Sequence, residues 1–187
     1  MELDEKIELR KSARRSRELA RNSERQLFTW LHITTSHEIK NAHHIGTYFS
    51  YGDEPATTEI NSALLAAGKK LFLPRVLADN SLEWVAWSGK TSDLKKSERR
   101  NVMEPAGSAT PVSVLDVIIV PALLIDRSGY RLGQGGGSYD RALAESTAWT
   151  IALVYEGEIT STPLPHEEHD QKVNAVATPE ILIRFKK

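Results

Sequence analysis

Residues 115–120 read Leu115-Asp116-Val117-Ile118-Ile119-Val120, and the stretch after them runs from Pro121 to a cluster formed by Gly133, Gly135, Gly136 and Gly137. A six-residue run with a single polar member offers no face to water. It is expected of a strand covered on both sides, the condition of inner strands in a parallel sheet. Working outward, Ser138–Ser146 is predicted as helix and Thr150–Tyr155 as strand. On the other side, Leu82–Trp87 alternates, with Trp84 and Ala86 on one face and Val85 and Trp87 on the other. Leu71–Pro74 reads as a short apolar strand, Thr57–Ala67 as a helix ending at Gly68, and Ile45–Ser50 as a strand. Ile181–Phe185 reads as a last strand. Residues 88–114 are polar and punctuated and are expected to form loops. Residues 4–33 hold many Glu, Arg, Leu and Ala and no Gly or Pro, so they read as helix. Ser23-Glu24-Arg25-Gln26 has capping-box spacing, which places a break near Asn22.

Strands alternating with helices predict an α/β fold: a single three-layer domain over residues 1–187, with a mainly parallel central sheet flanked by helices. In such sheets ligands bind beyond the carboxyl ends of the strands, so the loop at 121–137 falls where a site is expected.

Composition narrows the function. The chain has 187 residues, 24 Lys and Arg against 25 Asp and Glu, and a net charge of −1, so no overall field draws it to nucleic acid or membrane. It has no cysteine, which removes disulfides, thiolate catalysis and cysteine-bound zinc and suits a reducing cytoplasm. The charged start, MELDEKIELRKSARR, is no signal peptide, and no apolar run approaches the roughly 20 residues of a membrane span.

Four of the 11 glycines fall within five positions just before a predicted helix. Glycine permits positive φ and lets backbone N–H groups approach a ligand closely. A helix start adds unpaired N–H donors and partial positive charge. Together these make an anion cradle suited to phosphate, or else a simple flexible turn. Arg131 adds charge at one edge, and Asp140 could hold the magnesium that accompanies a nucleotide. Lys6, Arg10, Arg14, Arg17 and Arg21 recur every three or four residues and so share a helix face. That face is either solvated and paired with Glu2, Glu18 and Glu24, or it meets an anion. His166 and His169, and the adjacent His43 and His44, have spacings that do not suggest a shared metal.

The stretch from Pro121 through Asp126, Gly129, Arg131, Gly133 and Gly135 to Tyr139-Asp140-Arg141 resembles the signature of the 5-formyltetrahydrofolate cyclo-ligases. Lys6-Ile-Glu-Leu9-Arg10, Tyr48-Phe49-Ser50, Phe72-Leu-Pro74-Arg75, Asn101-Val-Met-Glu104-Pro105 and His169-Asp170 through Asn174 to Thr178 are similar to further family segments, in order. The resemblance implies an ATP- and magnesium-dependent ligase in one-carbon metabolism that cyclises 5-formyltetrahydrofolate to 5,10-methenyltetrahydrofolate. The partners implied are the folate and ATP, with a monomeric, cytoplasmic protein expected. It implies ATP contacts from Lys6, Arg10, Arg131, Gly133, Gln134, Gly135, Gly136, Gly137, Ser138 and Tyr139, of which Arg131 and Tyr139 would be catalytic. It implies folate contacts from Phe49, Glu54, Gln134 and Ser138, and metal contacts from Asp140 and Asn174. Gln134, Ser138 and Asn174 depart from the family's usual residues, which keeps open a non-catalytic folate- or nucleotide-binding paralogue. A sugar-phosphate isomerase would explain the glycine loop but neither the N-terminal segment nor Glu54.

Overall fold

The computed structural model describes residues 2–20, 28–97 and 102–186. Arg21, the capping-box segment and Asn101 lie outside the described residues. Helix α1 spans Glu2–Leu19, α2 His37–Asn41, α3 Thr58–Ala66 and α4 Ser138–Ala144, and a 3-10 turn covers Leu31–Thr35. The main sheet takes strands β1 (His44–Gly46), β2 (Lys70–Val76), β3 (Leu82–Trp87), β6 (Ala109–Thr110), β7 (Val117–Pro121), β10 (Trp149–Leu153), β12 (Ala175–Ala177) and β13 (Leu182–Arg184). Their spatial order is β13-β12-β10-β7-β1-β2-β3-β6. The five inner strands from β12 to β2 are parallel, and β13 and β3 join them antiparallel. Strands β8 (Leu124–Asp126), β9 (Arg131–Leu132) and β11 (Ile159–Thr160) form a small separate sheet, and β4 (Leu94–Lys96) pairs with β5 (Met103–Pro105).

The reading of residues 115–120 is met at β7, the middle of the sheet. Val117 and Ile119 enter one core with Ile33, Ile39, Ile60 and Leu64, from the 3-10 turn, α2 and α3. Ile118 and Val120 enter the other core with Trp84, Leu143 and Val176. All four β7 residues are buried because both faces are roofed, which produces the three layers.

Several predicted boundaries were wrong. The helix predicted for 4–33 stops at Leu19, and Leu31–Thr35 winds as 3-10 helix. Trp30 lies there fully buried, its indole donating to the Ala177 carbonyl at 3.1 Å, so tertiary anchoring overrides helix propensity. The strand predicted at Ile45–Ser50 ends at Gly46. Strand β12 was missed because three small apolar residues carry little periodicity. The short strands between 88 and 114 were missed because their polar faces resemble loop.

Helix α1 does not cover a sheet face. Its side chains reach Ala122 just past β7, Glu158 past β10 and the glycine loop past β9. It therefore lies over the carboxyl ends of the strands and helps enclose the space above them.

Candidate active site

A cavity of about 410 Å³ opens at the carboxyl ends of the strands. Its floor and walls come from α1, the segment after β1, the loop before α4 and the turn at 167–170. Of the residues for which the resemblance implies ATP, folate or metal contacts, all but Asn174 line it.

The glycine loop is shaped by two backbone requirements. Gly137 has φ +63 where it caps the start of α4, a conformation a β-carbon disfavours. Gly135 has φ +104, and an added β-carbon would lie 3.3 Å from the Arg10 guanidinium carbon. Arg10 Nε donates to the Gly133 carbonyl at 3.0 Å, and Arg14 donates twice to the Gln134 side chain, at 3.0 and 2.7 Å. Arg141, which opens no cavity contact of its own in the sequence reading, donates to Gly136 O at 3.0 Å and Asn80 O at 2.7 Å, tying the loop to the β2–β3 turn. The Ser138 hydroxyl is buried and has no hydrogen-bond partner among the described residues. A buried hydroxyl in a cavity wall with no protein partner is suited to bonding a ligand oxygen.

Charges surround this loop. Lys6 Nζ lies 2.6 Å from Asp170 Oδ2 and 3.1 Å from Glu167 Oε1. Burial opposes its charge, but the hydrogen bonds to Asp170 and Glu167 outweigh that and hold the ammonium above its ordinary value. Arg131 is deeply buried; its Nη1 donates to Asp140 Oδ1 at 3.0 Å and to the Gln171 carbonyl at 2.9 Å. The Gln171 amide donates to the same Asp140 oxygen at 3.1 Å, so Asp140 and the Asp170 turn are neighbours.

The other wall carries Phe49 and Glu54. Phe49 packs edge-on to Trp87 with centroids 6.1 Å apart, so it belongs both to the cavity and to the core margin. Glu54 Oε2 accepts from the Tyr51 amide at 3.2 Å. Enclosure by protein raises its carboxyl to about 7, against partial relief from that amide and from Arg17. Burial also pushes the Tyr139 phenol far above its ordinary value, so Tyr139 stays neutral and serves as a donor or a packing ring, not as a base. Its ring meets Trp84 edge-on at 6.4 Å.

Two expected positions fall elsewhere. Asn174 lies away from the cavity: its Oδ1 accepts from the Thr150 amide at 2.8 Å and hydroxyl at 2.9 Å. It stands at the amino ends of β10 and β12, whereas the cavity lies beyond their carboxyl ends. Asp170, four residues earlier, is the carboxylate that reaches the cavity. Spacing alone could not separate the two, because the chain crosses the sheet's depth between them. The second is Arg17, which is neither solvated nor a free phosphate contact. It makes a two-pronged pair with Glu158, at 2.8 and 2.7 Å, and donates to the Ala122 carbonyl at 2.5 Å. His43 and His44 both donate backbone N–H groups to Asp116, and His166 stacks on Tyr130 at 3.8 Å. No group of three or more metal-ligating side chains occurs among the described residues.

A three-layer fold around a mainly parallel sheet, with a cavity beyond the strands' carboxyl ends lined by a glycine loop and two cations on one side and an apolar wall with an acid on the other, has the form of an α/β enzyme. The 5-formyltetrahydrofolate cyclo-ligase family matches residues 3–179, and the chain belongs to that family, whose members are ligases. A 5-formyltetrahydrofolate cyclo-ligase of Mycolicibacterium smegmatis is 36% identical over 140 residues, covering 71% of this chain and 72% of that one. The Mus musculus 5-formyltetrahydrofolate cyclo-ligase is 31% identical over 160 residues, 77% of each chain. The solved Aquifex aeolicus 5,10-methenyltetrahydrofolate synthetase superposes with a TM-score of 0.82 at 26% identity, over 97% of this chain and 93% of that one.

Proposed function

We propose that the chain acts as one domain to cyclise 5-formyltetrahydrofolate to 5,10-methenyltetrahydrofolate at the expense of ATP, releasing ADP and phosphate. The observation that carries this is one cavity holding both halves of the chemistry: Lys6, Arg10 and the glycine loop on one side, Phe49 and Glu54 on the other. An amide oxygen is a poor leaving group until it is phosphorylated. The formyl oxygen attacks the γ-phosphorus and ADP leaves. The secondary amine of the folate bridge then attacks the activated carbon, forming the C–N bond, and phosphate departs as that nitrogen loses its proton.

The protein's work in this scheme is positioning and charge neutralisation. The amides at Gly135–Gly137 and the Ser138 hydroxyl hold phosphate oxygens. Lys6 and Arg10 neutralise them from α1, and Arg131, oriented by Asp140, faces the transferring group. Tyr139 packs beside the nucleotide and donates a hydrogen bond. Glu54, as a carboxylate, accepts from pterin N–H groups while Phe49 packs on the ring, and Gln134 closes the rim. Magnesium fits the donor set present. Asp140 has one oxygen engaged by Arg131 and Gln171, and Asp170 adjoins it. One or two carboxylates plus phosphate oxygens is the usual share for this ion. When bound, it offsets charge on the terminal phosphates. The protein is proposed to work as a cytoplasmic monomer with neither nucleic acid nor membrane as partner; no described helix is long and apolar enough to cross a membrane.

The test is absorbance at the methenyl product's near-ultraviolet band after mixing protein, 5-formyltetrahydrofolate, ATP and magnesium. Product should form only with all four. Binding of both ligands without product would favour the non-catalytic paralogue, and turnover of a sugar phosphate without ATP would overturn the proposal.

A further inference from the structure

We infer that Tyr155, held by the buried Arg17–Glu158 pair, is a positioning residue that sets the folate acid Glu54 in register with α1, so that both halves of the cavity are assembled on one scaffold. This rests on the folate and ATP reading above.

Tyr155 lies just past β10, and its hydroxyl donates to the Glu54 backbone carbonyl at 3.2 Å. The next carbonyl, that of Pro55, accepts from the buried Tyr48 hydroxyl at 3.1 Å. Two tyrosines thus grip consecutive carbonyls of the loop that presents Glu54, while the loop's tip at Tyr51 and Gly52 stays exposed. The base of the loop is closed by Ser50 and Thr57, each hydroxyl accepting the other's amide at 3.2 Å, and the two tyrosine bonds hold the carbonyls at and beside Glu54.

Tyr155 is itself fixed from three sides. Trp30 meets its ring edge-on at 5.4 Å, and the Arg17 guanidinium carbon sits 5.5 Å from its centroid. Its amide donates to Glu158 Oε2 at 2.8 Å, the same oxygen that Arg17 Nη2 reaches at 2.7 Å. Arg17 stands two turns beyond Arg10 on the same face of α1. A continuous bonded path therefore runs from Gly133 through Arg10, α1, Arg17, Glu158 and Tyr155 to Glu54. A buried ion pair is a poor stabiliser compared with apolar packing, since desolvation offsets its attraction; what it does supply is fixed geometry. An error near 1 Å in the placement of reacting groups is costly, so a rigid link between the two ligand walls has a direct use.

The experiment uses the full chain. Steady-state KM for each substrate, with calorimetric binding of 5-formyltetrahydrofolate, is measured for wild type, Tyr155→Phe, Glu158→Gln, Glu54→Gln and the Tyr155→Phe/Glu54→Gln double variant. Tyr155→Phe removes one hydroxyl, and its effect should fall on the folate: about a three- to tenfold rise in Kd and KM, with KM for ATP moving less than twofold. In the Glu54→Gln background it should add nothing, because Tyr155 acts through Glu54. Glu158→Gln, which loosens α1 as well, should raise both KM values. A folate KM within twofold of wild type for Tyr155→Phe, or losses that add fully in the double variant, overturns the inference. If Glu158→Gln does not fold, the Tyr155→Phe comparison still decides. Wild type that binds no 5-formyltetrahydrofolate would instead overturn the functional reading itself, and this inference with it.

Discussion

Arg10 and Arg17 share a helix, a face and a side chain, and they are put to different uses. Arg10 is partly exposed at the cavity rim and donates to a loop carbonyl. Arg17 is 3% exposed and spends its donors on Glu158 and the Ala122 carbonyl. The stripe is one feature of the sequence but two devices in the fold: at Arg10 a partly exposed cation beside the glycine loop, and at Arg17 a buried cation that fastens α1 to the strand ends. What separates them is the partner the chain brings to each, not the helical spacing.

The sharpest way to break this comparison is Arg17→Ala. It removes the cation from the buried pair with Glu158, and breaking a buried pair in this way costs about 3–5 kcal/mol. Denaturant unfolding should show a midpoint far below wild type; a change under 1 kcal/mol would return Arg17 to the solvated face. At the other end, Arg10→Ala should hardly move the unfolding midpoint. It should weaken ATP use about tenfold or more, as expected for a charge-assisted phosphate contact worth about 1.5–3 kcal/mol. Equal stability losses at positions 10 and 17 would erase the distinction between the ends.

Glu54, at the far end of the Tyr155 link, sharpens the comparison through pH. Its folded pKa of about 7 lies above the ordinary value of 4.5, so the folded protein binds the extra proton between those limits. Stability attached to this group is therefore present below about pH 4.5 and lost as pH rises through about 7. Glu54→Gln should raise the unfolding free energy at pH 8 by roughly 2 kcal/mol, read as a higher melting temperature, with the gain vanishing near pH 4. In wild type, KM for the folate should fall from pH 6 to pH 8 as the accepting carboxylate forms. A flat profile would show that Glu54 does not meet the pterin in its charged state.

The smallest effect is expected at Asn174. Asn174→Asp should leave the magnesium midpoint of a rate titration unchanged, because the position lies beside Thr150 at the amino ends of the strands. Asp170→Asn should raise that midpoint. A shift caused by Asn174→Asp would mean the segment from 170 to 174 approaches the ligand differently from the arrangement described.

Much was legible in the chain before folding was considered. The run at Val117–Val120 announces a strand with two covered faces, since four buried apolar residues in succession have no other economical place. Gly135 and Gly137 announce a loop with special backbone needs, and the tolerance of positive φ that both use is a property each residue carries alone. The spacing of Lys6, Arg10, Arg14 and Arg17 announces a common face, because helical pitch is local. Only the tertiary structure decided what those features meet. Arg17 and Glu158 are 141 residues apart, Lys6 and Asp170 are 164 apart, and no short-range pattern ties either pair together. The choice of Asp170 over Asn174 was of the same kind. Both carry a side-chain oxygen on one short segment, and which one faces the cavity depends on where the chain enters β12. Local geometry follows from the residue and its near neighbours; partnership and desolvation follow from segments that meet only when the sheet closes.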